Sequence, residues 1–305
     1  MEDNLVQQSK NPLRRHDRRY FYKYLDRESA LSVLRHCSLK WSSPTCFNDP
    51  FDVPRILTFD CAARELQEAL AHRMANLIEA RAATPPNAIP MLRVMLELLR
   101  SGVDEARAAV VHDLRVDALS HIPAPVVGFS EFQKQWDEQI PLMRILCLSE
   151  VPDIAAMWAH YADRHQGVVL ELAAVDHVDS PLIMARQVRY QDDPPKLPNK
   201  EEWVDSLLGI RPIELGEFFT DYQLVKQSPW AYEREWRVFS YARPGDTGAS
   251  TIYHFLPEEL TRVIVGTAAS ADFEQQVRDA VGGTCPHATV FRATLDEAAR
   301  RIVTA

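Results

Sequence analysis

The stretch SPWAYEREWRVF at residues 228–239 decides how the rest of the chain is interpreted. A Ser-Pro breaker opens it, and charged and apolar residues then alternate, which is typical of a strand. In such a strand Glu233, Glu235 and Arg237 would share one face. Charged groups between tryptophans are costly to bury unless they are paired, solvated in a cleft or used on a ligand. The stretch therefore predicts either an edge strand with a Glu–Arg ladder or one wall of a binding site.

The composition is that of a globular protein with no broad affinity for polyanions. Hydrophobic residues make up 46% and charged residues 25% of the 305 positions, and the net charge is -9. This balance argues against a nonspecific hold on nucleic-acid phosphates, although it does not exclude a local basic groove. The five cysteines are scattered without CxxC spacing, which predicts reduced thiols rather than a disulfide frame or zinc site. With neither a secretory leader nor an apolar run of roughly 20 residues, we expect a cytoplasmic protein with no membrane partner.

The remaining chain predicts an α+β fold with a split, mixed β core. Strand-like segments recur from residue 20 onward, and the C-terminal region alternates strand, helix and strand. Leucines and methionines at helical spacing over about residues 60–125 predict an inserted all-helical lobe. We expect residues 20–305 to form a single domain and the polar, basic residues 1–19 to form a mobile arm.

The paired carboxylates of the opening stretch support a specific chemistry. One of Glu233 and Glu235 can orient while the other stabilises a developing positive charge. Cleavage at an anomeric carbon requires this, because its transition state resembles an oxocarbenium ion. The nicotinamide–ribose bond of NAD is a bond of this kind.

Two other hypotheses stay open from the residues alone. Asp49 and Asp52 could join Glu233 and Glu235 to hold Mg²⁺ in a metal-dependent nuclease, a site that favours a neighbouring lysine. Alternatively, the carboxylates pair with Arg234 and Arg237 in a noncatalytic interaction module, with the helical lobe as the partner surface. No spacing of histidines or cysteines indicates a metal site.

Several short motifs in a fixed order resemble an uncharacterised bacterial family, domain-of-unknown-function family 2971. The motifs are YKY at 22–24, FNDPFD at 47–52, CLSE at 147–150, MWAHYAD at 157–163, HQGV at 165–168 and YEREWR at 232–237. The family name implies no function.

The order of elements is also similar to that of diphtheria-toxin and polymerase-type ADP-ribosyltransferases. Their first motif is a Tyr-His-Gly-Thr strand followed by a helix and a short strand, which residues 22–42 match with Lys23 in place of His or Arg. Their second motif is a strand ending in Ser-Thr, a tyrosine-bearing helix and a Gly-Val-Val strand, and residues 146–170 follow this order. Their last motif is a glutamate on a strand, which Glu235 would supply with Glu233 in a Glu-x-Glu pair.

This resemblance implies a site and a reaction. Glu235 would grip the 2′-hydroxyl of the nicotinamide ribose with Glu233 as helper and Arg237 as orienter, while Lys23 and Tyr24 lie by the adenosine ribose. Ser149 and Tyr161 would line the nicotinamide pocket. The residues expected to bind NAD are Tyr22, Lys23, Tyr24, Asn48, Asp49, Ser149, Tyr161 and Arg237. The implied activity is transfer of ADP-ribose to a protein or nucleic acid, or hydrolysis of NAD, by an intracellular toxin or phage-defence effector. A neutralising partner protein is a further expectation.

Overall fold

The chain divides into two compact units. The computed structural model describes residues 11–100, 102–121, 129–213 and 215–304. The first unit, here the sheet unit, takes Met1–Val53, Gln139–Asp193 and Leu224–Ala305. The second, here the helical unit, takes Pro54–Glu138 and Pro194–Gln223.

All the strands that the structure describes lie in the sheet unit. The helices are α1 (Arg27–His36), α2 (Ala63–Glu79), α3 (Pro90–Arg100), α4 (Asp104–Val116), α5 (Ala118–His121), α6 (Phe129–Gln139), α7 (Ala155–Tyr161), α8 (Lys200–Leu207), α9 (Leu215–Tyr222) and α10 (Ala271–Thr284). The strands are β1 (Tyr20–Leu25), β2 (Ser38–Ser42), β3 (Met143–Ser149), β4 (Val168–Ala173), β5 (Arg186–Gln187), β6 (Arg189–Tyr190), β7 (Val225–Lys226), β8 (Glu235–Tyr241), β9 (Ser250–His254), β10 (Leu260–Val265), β11 (Thr289–Arg292), β12 (Thr294–Asp296) and β13 (Arg301–Val303).

The main sheet is mixed, so the fold is α+β, as the sequence predicts. Its order is β11-β10-β4-β1-β3-β2-β9, with β8 on β3 and β5 on β8. β10 and β11 are parallel and joined through α10, whereas the other pairs in this sheet are antiparallel. A parallel pair requires such a crossover, and a helix supplies it.

The sheet splits along one edge of β3. The other edge of β3 pairs with β8 over its full length, from Met143 to Ser149. On the splitting edge, the register joins β1 through Tyr22↔Ser149 and β2 through Ser42↔Ile145, one position each. β1 and β2 therefore diverge from each other along β3 and leave a gap beside residues 146–148.

Local signals explain the first helix. Asp26 caps α1 by accepting a hydrogen bond from the Ser29 amide at 2.8 Å, a role that aspartate favours. Ala30, Val33 and Leu34 form the buried face. A buried leucine or valine contributes roughly 1.5–3 kcal/mol, so this face fixes α1 against the sheet.

The helical periodicity of the middle region is also confirmed. Leu66, Leu70, Met74 and Leu92 are buried and join Trp203 of α8 in one cluster, against which the partly buried Leu77, Met95 and Leu99 pack. Stacking of Phe59 on Phe129, with ring centroids 3.9 Å apart, extends it. Residues 122–125 of the predicted lobe lie outside the described residues. In the part that the structure describes, no helix is both long and apolar enough to cross a bilayer.

Residues 11–19, which belong to the predicted mobile arm, make specific contacts. Arg14 forms an ion pair with Asp176 at 2.7 Å, and Arg18 donates to the carbonyl of Glu150 at the same distance. The Arg15 amide donates to the Ile183 carbonyl at 2.8 Å. These contacts hold Arg14, Arg15 and Arg18 against the rest of the sheet unit. Residues 1–10 of the predicted arm lie outside the described residues.

The opening stretch is only half a strand, which corrects the sequence prediction. Residues Ser228–Glu233 form a 3₁₀ helix, and Arg234 follows with left-handed backbone (φ 47°) before β8 begins at Glu235. Pro229 favours this turn because its ring fixes φ and removes a backbone donor. Nor is β8 an edge strand, since β3 and β5 flank it.

Candidate functional site

The split in the sheet opens into a cavity of about 430 Å³, here called the split cavity. β1, β2 and β3 supply much of its wall. The 44–52 loop, α7, β7 and the start of β8 supply the remainder. The side chains and backbone that line it include Tyr22, Lys23, Tyr24, Lys40, Ser42, Phe47, Asn48, Asp52, Cys147, Ser149, His160, Tyr161, Lys226, Glu233 and Glu235.

A lysine spans the gap between the strands. The ammonium of Lys23 on β1 donates to the carbonyl of Cys147 on β3 at 2.8 Å. Cys147 lies between Ile145, which pairs with β2, and Ser149, which pairs with β1. The register gives Cys147 no backbone partner in either of these two strands. Lys23 thus satisfies a carbonyl that the split would otherwise expose. An ammonium has two further donors, and among the described residues no other hydrogen bond of the Lys23 ammonium is seen.

Five charged side chains meet at one end of the cavity and are here called the charge cluster. They are Asp52, Lys226, Glu233, Glu235 and Arg237, each at most 5% exposed. The Lys226 ammonium lies 2.5 Å from Glu233, 3.1 Å from Glu235 and 3.3 Å from Asp52. Arg237 bonds Glu235 through Nε and Asp52 through Nη2, both at 2.7 Å.

The charge cluster is not electrically balanced. Its three carboxylates face two cations, which leaves a net charge of -1 when all are ionised. Burial opposes ionisation of Glu235, but Arg237 and Lys226 outweigh it and hold the pKa of this carboxyl below its usual range. Burial raises the pKa of Glu233 despite the opposing effect of Lys226, and it also raises that of Asp52. Burial therefore disfavours the ionised form of Glu233 and of Asp52, whereas Glu235 stays ionised, and all three line the cavity.

Glu233 is held by a different partner at each oxygen. Its Oε1 accepts a 2.6 Å hydrogen bond from the Tyr161 hydroxyl, and its Oε2 contacts Lys226. The Asn48 amide lies 3.4 Å from the same hydroxyl. Ser149 donates to the Glu233 carbonyl at 2.8 Å, which fixes the turn. Burial, followed by the Glu233 carboxylate, raises the pKa of Tyr161, so this phenol stays a donor.

Tyr22 and Tyr24, the tyrosines of β1 that line the cavity, supply aromatic surface more than polar contacts. Tyr22 donates to Glu171 at 3.0 Å, and Tyr24 donates to the Val151 carbonyl at 3.0 Å. Tyr24 also packs edge-on against Trp158, with ring centroids 5.7 Å apart. Burial raises the pKa of both phenols, so neither ionises in the neutral range.

Eight of the predicted site residues line the split cavity. They are Tyr22, Lys23, Tyr24, Asn48, Ser149, Tyr161, Glu233 and Glu235. Arg237 is fully buried behind Glu235 and acts on it rather than on the cavity. Asp49 turns inward to accept a bond from the Phe51 amide at 2.9 Å, and it is not among the described residues that line the cavity.

Lys226 is the residue that sequence reasoning missed. It lies in a short strand after Leu224 and Val225, seven residues before Glu233 and outside the alternating stretch. The signal that could have found it is a charged residue in an apolar segment close to two carboxylates that must be buried. Lys40, which belongs to no recognisable pattern, was missed as well, and so was His160, although it lies in the MWAHYAD motif at 157–163.

The carboxylates surround an ammonium rather than leaving space for a metal ion. Asp52, Glu233 and Glu235 all contact Lys226, while Asp49 bonds its own loop. Among the residues that the structure describes, no group of three or more His, Cys, Asp or Glu side chains is arranged to hold a metal. The pairing partners also differ from those expected for an interaction module, because Lys226 takes the place expected for Arg234.

Comparison with known proteins relates one segment of the chain to a family. Residues 157–238 match the sequence model of a family described as "Protein of unknown function (DUF2971)". No curated protein and no solved structure matches the chain. No comparison supports the resemblance to ADP-ribosyltransferases. Over residues 157–238, which include Tyr161 and Glu233, the chain is similar to this family of unknown function.

Proposed function

We propose that the protein binds NAD in the split cavity and breaks its nicotinamide–ribose bond. The ADP-ribose then passes to a macromolecular acceptor or to water. The observation that carries this proposal is the convergence of Tyr22, Tyr24, Ser149 and Tyr161 on one cavity that ends in a buried, negatively charged cluster. A volume of about 430 Å³ lies within the roughly 300–1,000 Å³ typical of small-molecule sites.

The charge cluster suits the electrostatics of this reaction. NAD carries a positive charge on its nicotinamide ring, and bond cleavage moves that charge to the ribose. A buried cluster with one excess negative charge attracts the nicotinamide cation of bound NAD and the cationic ribose that forms as the bond breaks. Because solvent is excluded, the attraction to the oxocarbenium-like transition state is strong. Glu235 supplies a carboxylate that stays ionised because Arg237 and Lys226 hold it so.

Glu233 is suited to move the proton. The C1′–N bond breaks with its electron pair leaving on nicotinamide, and the acceptor oxygen or nitrogen bonds C1′. The proton of that acceptor passes to Glu233, whose raised pKa makes it a better base than an ordinary carboxylate. Tyr161 and Lys226 orient the group, one at each oxygen. This assignment gives Glu233 a larger part than a helper to Glu235.

The cationic and aromatic groups of the cavity suit the rest of the dinucleotide. Lys23 and Lys40 offer positive charge to the diphosphate, while Tyr22 and Tyr24 offer apolar surface to a ribose or base. The fold in this proposal is ADP-ribosyltransferase-like, and the divergence of β1 and β2 supports it. A toxin or defence effector with a neutralising partner remains the proposed setting.

The test uses NAD labelled in its adenylate half. The full chain is incubated with it and with protein and nucleic-acid acceptors, and both nicotinamide release and label transfer are measured. We expect release by the parent and a loss of roughly 100-fold or more in Glu233→Gln, since a positioned base contributes about that much. Glu258→Gln is the matched control, because Glu258 is exposed. If the parent neither binds NAD nor releases nicotinamide from it, the proposal is wrong.

A second candidate is a noncatalytic module in which the charge cluster is structural. Complete pairing of Glu235 by Arg237 and Lys226 favours it, because such a network can simply fix β8 beside the 44–52 loop. Under this hypothesis Glu235→Gln lowers the melting temperature while NAD has no effect on it. Under the first, NAD raises the melting temperature of the parent.

A further inference from the structure

Two cysteines far apart in sequence place their sulfur atoms side by side. The Sγ atoms of Cys37 and Cys285 lie 3.7 Å apart across 248 residues. Each residue follows the end of a helix, Cys37 after α1 and Cys285 after α10. A disulfide needs about 2.05 Å between sulfurs, so the two sulfur atoms would have to approach by about 1.7 Å to form one.

The backbone of Cys37 has a conformation that is uncommon for a residue other than glycine. Cys37 ends α1 with left-handed backbone (φ 45°, ψ 53°), a conformation that glycine adopts without strain. A residue with a β-carbon carries a conformational cost there. The Cys37 side chain is partly buried and packs against the main apolar cluster of the sheet unit, of which Cys285 is a buried member.

The two helix ends are fixed to one another independently of the thiols. Thr284 donates through its hydroxyl to the carbonyl of Leu34 at 2.8 Å, which ties α10 to α1. The Phe255 amide donates to the Cys37 carbonyl at 2.8 Å, which ties the end of α1 to the chain after β9. The pair is therefore preorganised, and closing the bridge orders little additional chain.

The two thiols differ in access. Cys37 is partly exposed, whereas Cys285 is buried with no exposed surface. Burial raises the pKa of the Cys285 thiol to about 11, so it is rarely ionised near neutrality. Cys37 is thus the thiol that meets a reagent from solution, and Cys285 is the neighbour that resolves the adduct.

We propose that Cys37 and Cys285 are a redox pair that forms a reversible disulfide with low-molecular-weight disulfides of the glutathione type. The Cys37 thiolate attacks one sulfur of the reagent, and the other sulfur leaves as a thiolate. The released reagent thiolate takes the proton of Cys285, whose sulfur then attacks the Cys37 sulfur and expels the second reagent thiolate. The two protein protons end on the two released thiols, so one external disulfide is reduced for each protein disulfide formed.

The bridge is a modification site separate from the split cavity. It joins α1 to α10 and does not involve the charge cluster or its neighbours. The redox pair therefore holds or fails whether or not the cavity binds NAD.

The test equilibrates the full chain in mixtures of reduced and oxidised glutathione. Free thiols are trapped by alkylation, and intact mass and peptide mapping follow. We expect the five free thiols to fall to three, with the peptides of Cys37 and Cys285 linked and excess reduced glutathione reversing the link. Cys61→Ser should form the link as the parent does, because Cys61 lies in the helical unit.

Three further outcomes decide the proposal. In Cys285→Ala, Cys37 should accumulate as a mixed disulfide with glutathione, because no second thiol is present to displace the glutathione. This adduct identifies Cys37 as the attacking thiol. A parent in which both cysteines stay alkylated throughout would overturn the pair. A parent in which Cys37 carries glutathione with no link to Cys285 would do so equally. Cys285→Ser serves if the alanine variant is poorly folded.

Discussion

The two faces of β2 open onto two different cavities. Lys40 and Ser42 face the split cavity, whereas Leu39 and Trp41 face a second, apolar cavity of about 190 Å³. Each cavity holds a buried glutamate whose pKa burial raises, Glu233 in the first and Glu259 in the second. A raised pKa therefore does not by itself distinguish a site from a packing feature.

The neighbours of the two glutamates make the difference. Glu259 accepts a hydrogen bond from the Ser180 hydroxyl and one from the Leu256 amide, so neutral donors satisfy it inside an aliphatic and aromatic wall. Glu233 belongs to a cluster with two cations, two further carboxylates and one uncompensated charge. An unbalanced charge that faces a cavity can attract or stabilise a charged ligand, whereas the charge of a glutamate that neutral donors satisfy locally is less available to one.

The largest expected effect comes from removing the ammonium at the centre of the charge cluster. Lys226→Met leaves three buried carboxylates with one cation, and breaking a buried pair costs about 3–5 kcal/mol of unfolding free energy. Urea unfolding measures this loss. Lys134→Met, on an exposed position of α6, should change the stability by less than about 0.5 kcal/mol. Equal effects of the two variants would mean that the cluster contributes nothing to the fold.

The Tyr161 hydroxyl should set the pH range in which Glu233 acts. Its 2.6 Å bond to Glu233 lowers the pKa of that carboxyl, so Tyr161→Phe raises the pKa further. The acidic limb of the pH–rate profile for nicotinamide release should move to higher pH, by about one pH unit for a bond worth about 1.4 kcal/mol. Tyr253→Phe removes a hydroxyl at the apolar cavity and should leave the profile in place. A parallel displacement of the profile in both variants would contradict the assignment.

Stability should depend on pH through Glu233 in a defined direction. Because its pKa is higher in the folded chain than its ordinary 4.5, the folded state binds more protons between the two values. Stability from this group is full below pH 4.5 and declines as pH rises through the folded pKa. Glu233→Gln should flatten that decline, by about 1.4 kcal/mol for each pH unit that separates the folded pKa from the unfolded one. Thermal melts of the parent and of Glu233→Gln from pH 4 to 8 measure how stability declines with pH. A steeper decline in the variant than in the parent would contradict the prediction.

The smallest expected effect is on binding of the diphosphate. Lys40 is exposed on β2 at the cavity wall, so Lys40→Ala removes one screened charge. NAD affinity should fall about fivefold, equivalent to about 1 kcal/mol, and the loss should shrink as salt is added. Calorimetric titration at two ionic strengths measures both. A loss that is independent of salt would indicate a different role for Lys40.

The local parts of the fold could be predicted from the sequence. Asp26 and the apolar positions of α1 signal a capped helix, and leucine spacing signals the helices of the middle region. These features depend on residues within about one or two turns of each other. The alternation from Glu235 to Arg237 likewise predicts β8, because side-chain period alone sets which residues share a face.

The parts that depend on distant contacts could not be predicted. Alternation extended to Glu233 indicates a strand, but Pro229 and left-handed Arg234 turn the chain there. The sequence also gives no register for β3, so the gap beneath Lys23 and the arrival of Asp52 at Arg237 both come from tertiary pairing. Eight of the residues that the resemblance named line one cavity, but the resemblance could not reveal Lys226, which no motif contains.

The most direct measurement of the central claim compares the two cavities with matched substitutions. Ser42→Phe fills the split cavity and Ser240→Phe fills the apolar cavity, and both serines are partly buried on strands. Calorimetric titration with NAD, on variants that melt cooperatively, should show binding to the parent and to Ser240→Phe and none to Ser42→Phe. Equal binding by both variants, or no binding by the parent, would contradict the account.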